Sequence, residues 1–182
     1  MKRVIGLAVL ILVLPLSARA SLVKVYFQPN VILAEKDFLI DLRAAISSEI
    51  PVLLWDILLD FDDQALDLKD SRVNKDDWRS DDNDKKDPRV FGFAHNPLEG
   101  VFGDVLLATL DFKFKSGNPA IIGIDSIGSF FEGLSEEGYP VSIGDIEYGQ
   151  ATVYPIPIPG SISLLSSGLI GLIAFRRRRL RA

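Results

Sequence analysis

Between residues 21 and 155, apolar and polar positions alternate with a period of two in one run after another, the spacing of half-buried β-strands. In Val23–Phe27 the two valines and Phe27 share a face. In Asp37–Leu42, Phe38, Ile40 and Leu42 point one way, Asp37 and Asp41 the other. The strongest run is Leu53–Phe61. It puts Leu53, Trp55, Ile57, Leu59 and Phe61 on one face and Leu54, Asp56, Leu58 and Asp60 on the other. Half of that second face is acidic, so solvent is expected over it. Further strands are expected at Arg89–Ala94, at Leu106–Lys115 (Leu106, Ala108, Leu110, Phe112 and Phe114 inward), at Ala120–Ile127 and at Glu147–Tyr154. Turn-forming clusters separate them: Asn96-Pro97, Gly100, Gly117-Asn118-Pro119 and Gly138-Tyr139-Pro140. About eight short strands with such turns predict an all-β, antiparallel β-sandwich.

Both ends break this pattern. Lys2 and Arg3, the apolar run Val4–Leu16, and the small residues Ala18 and Ala20 around Arg19 have the order of a secretory signal peptide. Cleavage is expected before Ser21, by signal peptidase; the alternative is an uncleaved signal anchor. At the other end, Pro155, Pro157 and Pro159 alternate with isoleucine and predict extended chain. Residues 156–175 carry no charge, and Arg176, Arg177, Arg178, Arg179 and Arg181 follow. Such a run is long enough to cross a bilayer as a helix, with the arginines on the cytoplasmic side. The chain thus divides into a signal segment 1–20, a sandwich 21–153, and a tail 154–182 with its transmembrane helix at 160–175.

The tail resembles a PEP-CTERM sorting signal, the segment read by exosortase. In that family a Pro-x-Pro motif precedes an apolar Ser-Gly-Leu core and then arginines. The corresponding residues here are Pro157-Ile158-Pro159, then Ser167-Gly168-Leu169-Ile170-Gly171-Leu172, then Arg176–Arg179. Ile158 stands where the namesake motif has Glu. The resemblance implies export, a transient inner-membrane intermediate with its C-terminus in the cytoplasm, and cutting by exosortase in a Gram-negative envelope. An ordinary single-pass anchor is the alternative. A GPI signal is disfavoured by the terminal arginines.

Charge sharpens the picture once the ends are set aside. Of 20 basic residues, three lie in the first 20 residues and five in the arginine cluster, while all 25 acidic residues lie between. The middle therefore carries 12 basic against 25 acidic residues, net −13. That field excludes nucleic acid as a partner. With no cysteine, the chain has no disulfide, no thiol chemistry and no lipoprotein acylation site.

Within the middle, Trp55–Leu66 resembles a cohesin-type pattern, in which an alternating aromatic strand ends in aromatic-Asp and a Leu follows. Leu107–Ser116 resembles a later strand of that family, and Glu35-Lys36-Asp37-Phe38 stands at the family's early Gly-Asp, without the Gly. The resemblance spans roughly residues 23–152. It implies a nine-stranded jelly-roll sandwich and a non-catalytic binding or adhesion role. Cohesins of cellulosomes bind dockerins, but no matching face is legible here.

Candidate chemistry is sparse. Asp76, Asp77, Asp81, Asp82, Asn83 and Asp84 crowd one loop with Trp78. Hard oxygen ligands suit calcium, although the spacing is not that of an EF-hand. The alternative is a solvated loop between strands, and no other cofactor is expected. Trp78 is a candidate for stacking on a sugar ring, or for capping the sandwich edge. Asp60, Asp62, Asp63, Glu136 and Glu137 raise glycoside hydrolysis, which needs two carboxylates at a set separation. Asp62 fits better as a turn residue after its strand, and the lone His95 reads as a turn residue too. The expectation is therefore a non-enzymatic surface or matrix protein. The alternatives are a carbohydrate-binding module for exopolysaccharide and a permanently anchored periplasmic module.

Overall fold

The computed structural model describes residues 22–80, 87–115 and 117–156. The expected signal helix (1–20) and transmembrane helix (160–175) lie outside the described residues.

Thirteen strand segments appear among the described residues, in two sheets. The smaller sheet has the order β12 (Ile146–Tyr148), β1 (Val23–Gln28), β3 (Asp37–Ile46), β8 (Gly103–Phe114), β5 (Leu66–Val73). The larger runs β11 (Pro140–Ile143), β10 (Phe130–Leu134), β4 (Val52–Phe61), β9 (Ala120–Ile124), β13 (Ala151–Pro155), β2 (Val31–Ala34). On it, β7 (Arg89–Ala94) also pairs with β4 and carries the short β6 (Trp78–Arg79). Their facing sides form one core. Val23, Val25 and Phe27, read as one face from sequence, are all buried, as are Ile40, Leu42, Trp55 and Ile57. The all-β sandwich is as expected.

Two details of the pattern differ. Leu53 is not in the core; Val52 is, at the same end of β4. Leu54 pairs with Glu132 and Val52 with Gly133, so Leu53 is the extra residue of a β-bulge and the alternation flips there. A second bulge does the same to β8. Leu42 faces Ala108 and Arg43 faces Leu106, which leaves Leu107 unpaired and buried while Leu106 is only half-buried.

The strand expected at Glu147–Tyr154 is two strands, and the sandwich is not wholly antiparallel. β12 runs parallel to β1 in the small sheet, and β13 parallel to β2 in the large one. The first and last parts of the described chain thus lie side by side and cross between sheets together, at Pro29-Asn30 and at Gly149-Gln150. Gly149 permits the second crossing. Its N–H donates to the Val25 carbonyl at 2.8 Å, and a Cβ there would stand 3.1 Å from that oxygen. β13 also takes in Tyr154 and Pro155, and the Ile156 N–H donates to the Ala34 carbonyl at 3.2 Å. The sheet therefore continues into the start of the predicted tail.

Candidate binding face

The two sheets present very different outer surfaces. On the small sheet, several charged groups are paired with neighbours. Lys24 meets Glu147 at 2.7 Å, Lys69 meets Asp37 at 3.0 Å, and Lys115 approaches Asp67 at 3.6 Å. The Tyr26 hydroxyl donates to Asp104 at 2.6 Å, and Arg43 Nε donates to the same oxygen at 3.2 Å. Burial, followed by the bond to Asp104, raises the Tyr26 phenol above its ordinary value. The Thr109 hydroxyl donates to Asp41. Leu39 is the one large exposed apolar side chain among the described residues of that face. This is a surface made for water.

The large sheet is the opposite. Cross-strand register lines up Glu132, Leu54, Phe93 and Arg79 in one row over β10, β4, β7 and β6. The next row is Phe130, Asp56 and Phe91, and the third pairs Leu58 with Arg89. Phe93 and Phe130 are exposed, and Phe91 meets Phe93 edge-on with ring centroids 5.9 Å apart. The charges are few and placed. Arg89 Nε donates to Asp56 at 2.8 Å across the middle of the patch, and its terminal nitrogen donates to the Gly128 carbonyl at 3.3 Å. That contact with Asp56 raises the Arg89 guanidinium further above its already high value. Aromatic rings around a held arginine, on rigid strands, are the composition of a protein-binding surface.

The residues singled out from sequence fall elsewhere. Trp78 is wholly buried, edge-on to Trp55 at 5.9 Å, and its Nε1–H donates to the Leu106 carbonyl at 3.2 Å. Its ring is core, so the sugar-stacking role is corrected. Asp76 and Asp77 build the turn that delivers it. The Asp76 N–H donates to Asn74 Oδ1, Asn74 Nδ2 donates to Asp77, and the Trp78 N–H donates to the Asn74 carbonyl. Asp81, Asp82, Asn83 and Asp84 lie outside the described residues, as do Ala18, Ala20, Pro157, Ile158, Pro159, Ser167, Gly168, Gly171 and Arg176–Arg179. Among the described residues no three His, Asp or Glu side chains gather to hold a metal.

Asp62 is the turn residue expected: its carboxylate accepts from the Gln64 N–H, and its carbonyl accepts from Ala65 and Leu66. A depression of about 570 Å³ opens where the end of β4, β9 and the β12–β13 connection meet, lined by Asp60, Asp62, Tyr148 and Gln150 among others. His95 does more than turn the chain. Its Nδ1 accepts from Arg79 at 3.1 Å and its Nε2 bonds the Lys75 carbonyl at 2.8 Å, so it ties the 74–79 segment to β7.

No family model matches the chain, and no curated protein matches it. Solved structures do. The seventh ScaB type I cohesin of Pseudobacteroides cellulosolvens superimposes with a TM-score of 0.57 at 17% identity, over 75% of this chain and 95% of that one. A cohesin module from a family 33 glycoside hydrolase of Clostridium perfringens gives 0.56 at 11% identity, over 75% and 100%. The third cohesin of ScaC from Acetivibrio cellulolyticus, solved in complex with the ScaB dockerin, gives 0.56 at 15% identity, over 74% and 99%. The fold is that of cohesin modules.

Proposed function

We propose that this cohesin-like sandwich is an exported, non-enzymatic binding module that holds a protein partner on the open face of β10, β4 and β7. The observation that carries the reading is the contrast between the two sheets. One face is tiled with ion pairs, while the other sets Leu54, Phe91, Phe93 and Phe130 around the Asp56–Arg89 pair. An aromatic patch of this kind on an acidic, soluble domain is stable exposure only if something else uses it. Several of the similar structures were solved with a dockerin bound, which supports a protein partner here. The same reading takes the terminal segments as a signal peptide and a PEP-CTERM-like tail. The module then passes through the inner membrane, is cut by exosortase near Pro157-Ile158-Pro159, and acts at the cell surface or in the matrix. Exopolysaccharide as the ligand loses the stacking ring it was given, because Trp78 is buried.

The test is chemical cross-linking of the protein in its own cell envelope, followed by identification of what is captured and measurement of its affinity. Phe93→Glu is expected to weaken the captured complex at least tenfold, the size of a lost aromatic hot spot of about 2 kcal/mol. Leu39→Glu, on the small sheet, is expected to leave it unchanged. A complex sensitive to the Leu39 change and indifferent to the Phe93 change would put the binding face on the other sheet.

A further inference from the structure

We propose that, for as long as the C-terminal run remains in the membrane, the domain lies against the bilayer surface through the open face of its β9–β13–β2 corner. The inference rests on the sorting-tail reading above.

A second apolar patch lies on the large sheet, at the opposite end from the aromatic rows. Register places Ile121, Thr152 and Val31 side by side across β9, β13 and β2, with Tyr154 beside Leu33 in the next row. Leu33 is 66% exposed, Val31 54% and Ile121 52%. Tyr154 and Ile156 are exposed as well. Four of these six are aliphatic, Thr152 and Tyr154 carry only hydroxyls, and none is charged. An edge strand without a charge on its outer face is normally a liability in water.

What covers this corner follows from where the chain goes next. Ile156 is still hydrogen-bonded to the sheet, and the 20 residues from it to Phe175 carry no charge. A helix over the predicted span 160–175 reaches about 24 Å, short of a hydrocarbon core of about 30 Å. Bilayer thinning and inward drawing of the flanking residues both relieve such a shortfall, and both bring the residues just before the span close to the membrane boundary. If residues 157–159 are extended, as their prolines predict, at about 3.1 Å each they would offer a tether of roughly 9 Å. The interfacial layer on one side of a bilayer is itself about 5–8 Å thick. A tether of that length keeps the corner that carries Leu33, Tyr154 and Ile156 at or just above the interface. Tyrosine beside aliphatic residues is also the composition that interface favours. The six residues of the corner carry no charge, so anionic headgroups do not repel it.

The chain has no cysteine, so single cysteines can be placed without background. The full chain, isolated from membranes of the expressing cell, is reconstituted in vesicles of phosphatidylethanolamine with a minority of phosphatidylglycerol. It carries an environment-sensitive fluorophore at Leu33→Cys, Tyr154→Cys, Leu39→Cys or Ile170→Cys. The expected result is blue-shifted emission at the first two sites and loss of signal with lipids bearing a nitroxide near the headgroup. The Leu39→Cys label should show neither, and the Ile170→Cys label should be quenched by a nitroxide deep in the acyl chain. If the Ile170→Cys label is quenched while the Leu33→Cys and Tyr154→Cys labels emit as in water, the docking proposal fails and the tail reading stands. If the Ile170→Cys label is not quenched, the tail reading fails and takes the proposal with it. If the Leu33→Cys label is shielded in detergent in proportion to protein concentration, a second copy covers the corner and the proposal is overturned.

Discussion

At the scale of single residues, Trp78 sits where a loop tryptophan was not expected, and its energetics follow from that place. It is fully buried against Trp55 and hydrogen-bonded to the Leu106 carbonyl. Trp78→Ala is expected to cost about 3–5 kcal/mol in denaturant unfolding and to leave any partner bound on the open face in place. Gly92 is the counterpart on β7. A Cβ there would lie 2.9 Å from three atoms of the Trp55 ring, which is itself enclosed and has no room to yield. Gly92→Ala should therefore destabilise by about 1–3 kcal/mol. The small sheet makes a prediction about pH. Tyr26 is raised by burial and by its bond to Asp104, and Tyr148 by burial. A phenol raised on folding gives stability that is fully present below its ordinary value of about 10 and is lost as pH rises through the folded value, because the unfolded chain releases its proton first. Stability should fall on the alkaline side of pH 10, and Tyr26→Phe should flatten part of that fall in a pH series of melting curves.

At the scale of strands, the crossing of the first and last segments is the feature that single changes can break. Gly149→Ala puts a methyl 3.1 Å from the Val25 carbonyl, on a strand already held on both sides by β12 and β3. The expected loss is about 1–3 kcal/mol, together with faster hydrogen exchange of the Val25 and Ile146 amides. His95→Ala should instead act locally: exchange in β6 speeds up while β3 and β8 keep their protection. Strands with an unbroken alternation were legible in the sequence, because one buried face is all that alternation requires; β1, β3 and β7 are of this kind. β5 was not, since a bulge at Lys69 breaks its period and its outer positions are polar. β10 and β11 were missed because each is short, with Gly133 in one and Pro140 starting the other. The binding face was the least legible part. Leu54 and Leu58 alternate with Asp56 and Asp60, which reads as a wet surface until Phe91, Phe93 and Phe130 are brought beside them. Only cross-strand register does that, and register is a property of pairs of segments far apart in the chain.

At the scale of the whole molecule, the last strand bears on the itinerary proposed above. The sandwich reaches past Val153 at least to Ile156, within a few residues of the motif at which exosortase would cut. Under the proposed reading, cutting at Pro157-Ile158-Pro159 would free the domain almost flush with its last described strand and remove the uncharged run that follows it. Cutting further upstream would strip β13 from between β9 and β2 and expose the core residues Ala151, Val153 and Ile32. The intact mass of the protein from its native host decides among the itineraries. A chain starting at Ser21 and ending between Ile156 and Pro159 is the expected product, and it should unfold cooperatively, with every strand retained. A mass that includes Arg176–Ala182 would mean that the tail is a lasting anchor. The aromatic face would then work from the membrane surface, on a partner within the envelope rather than outside it.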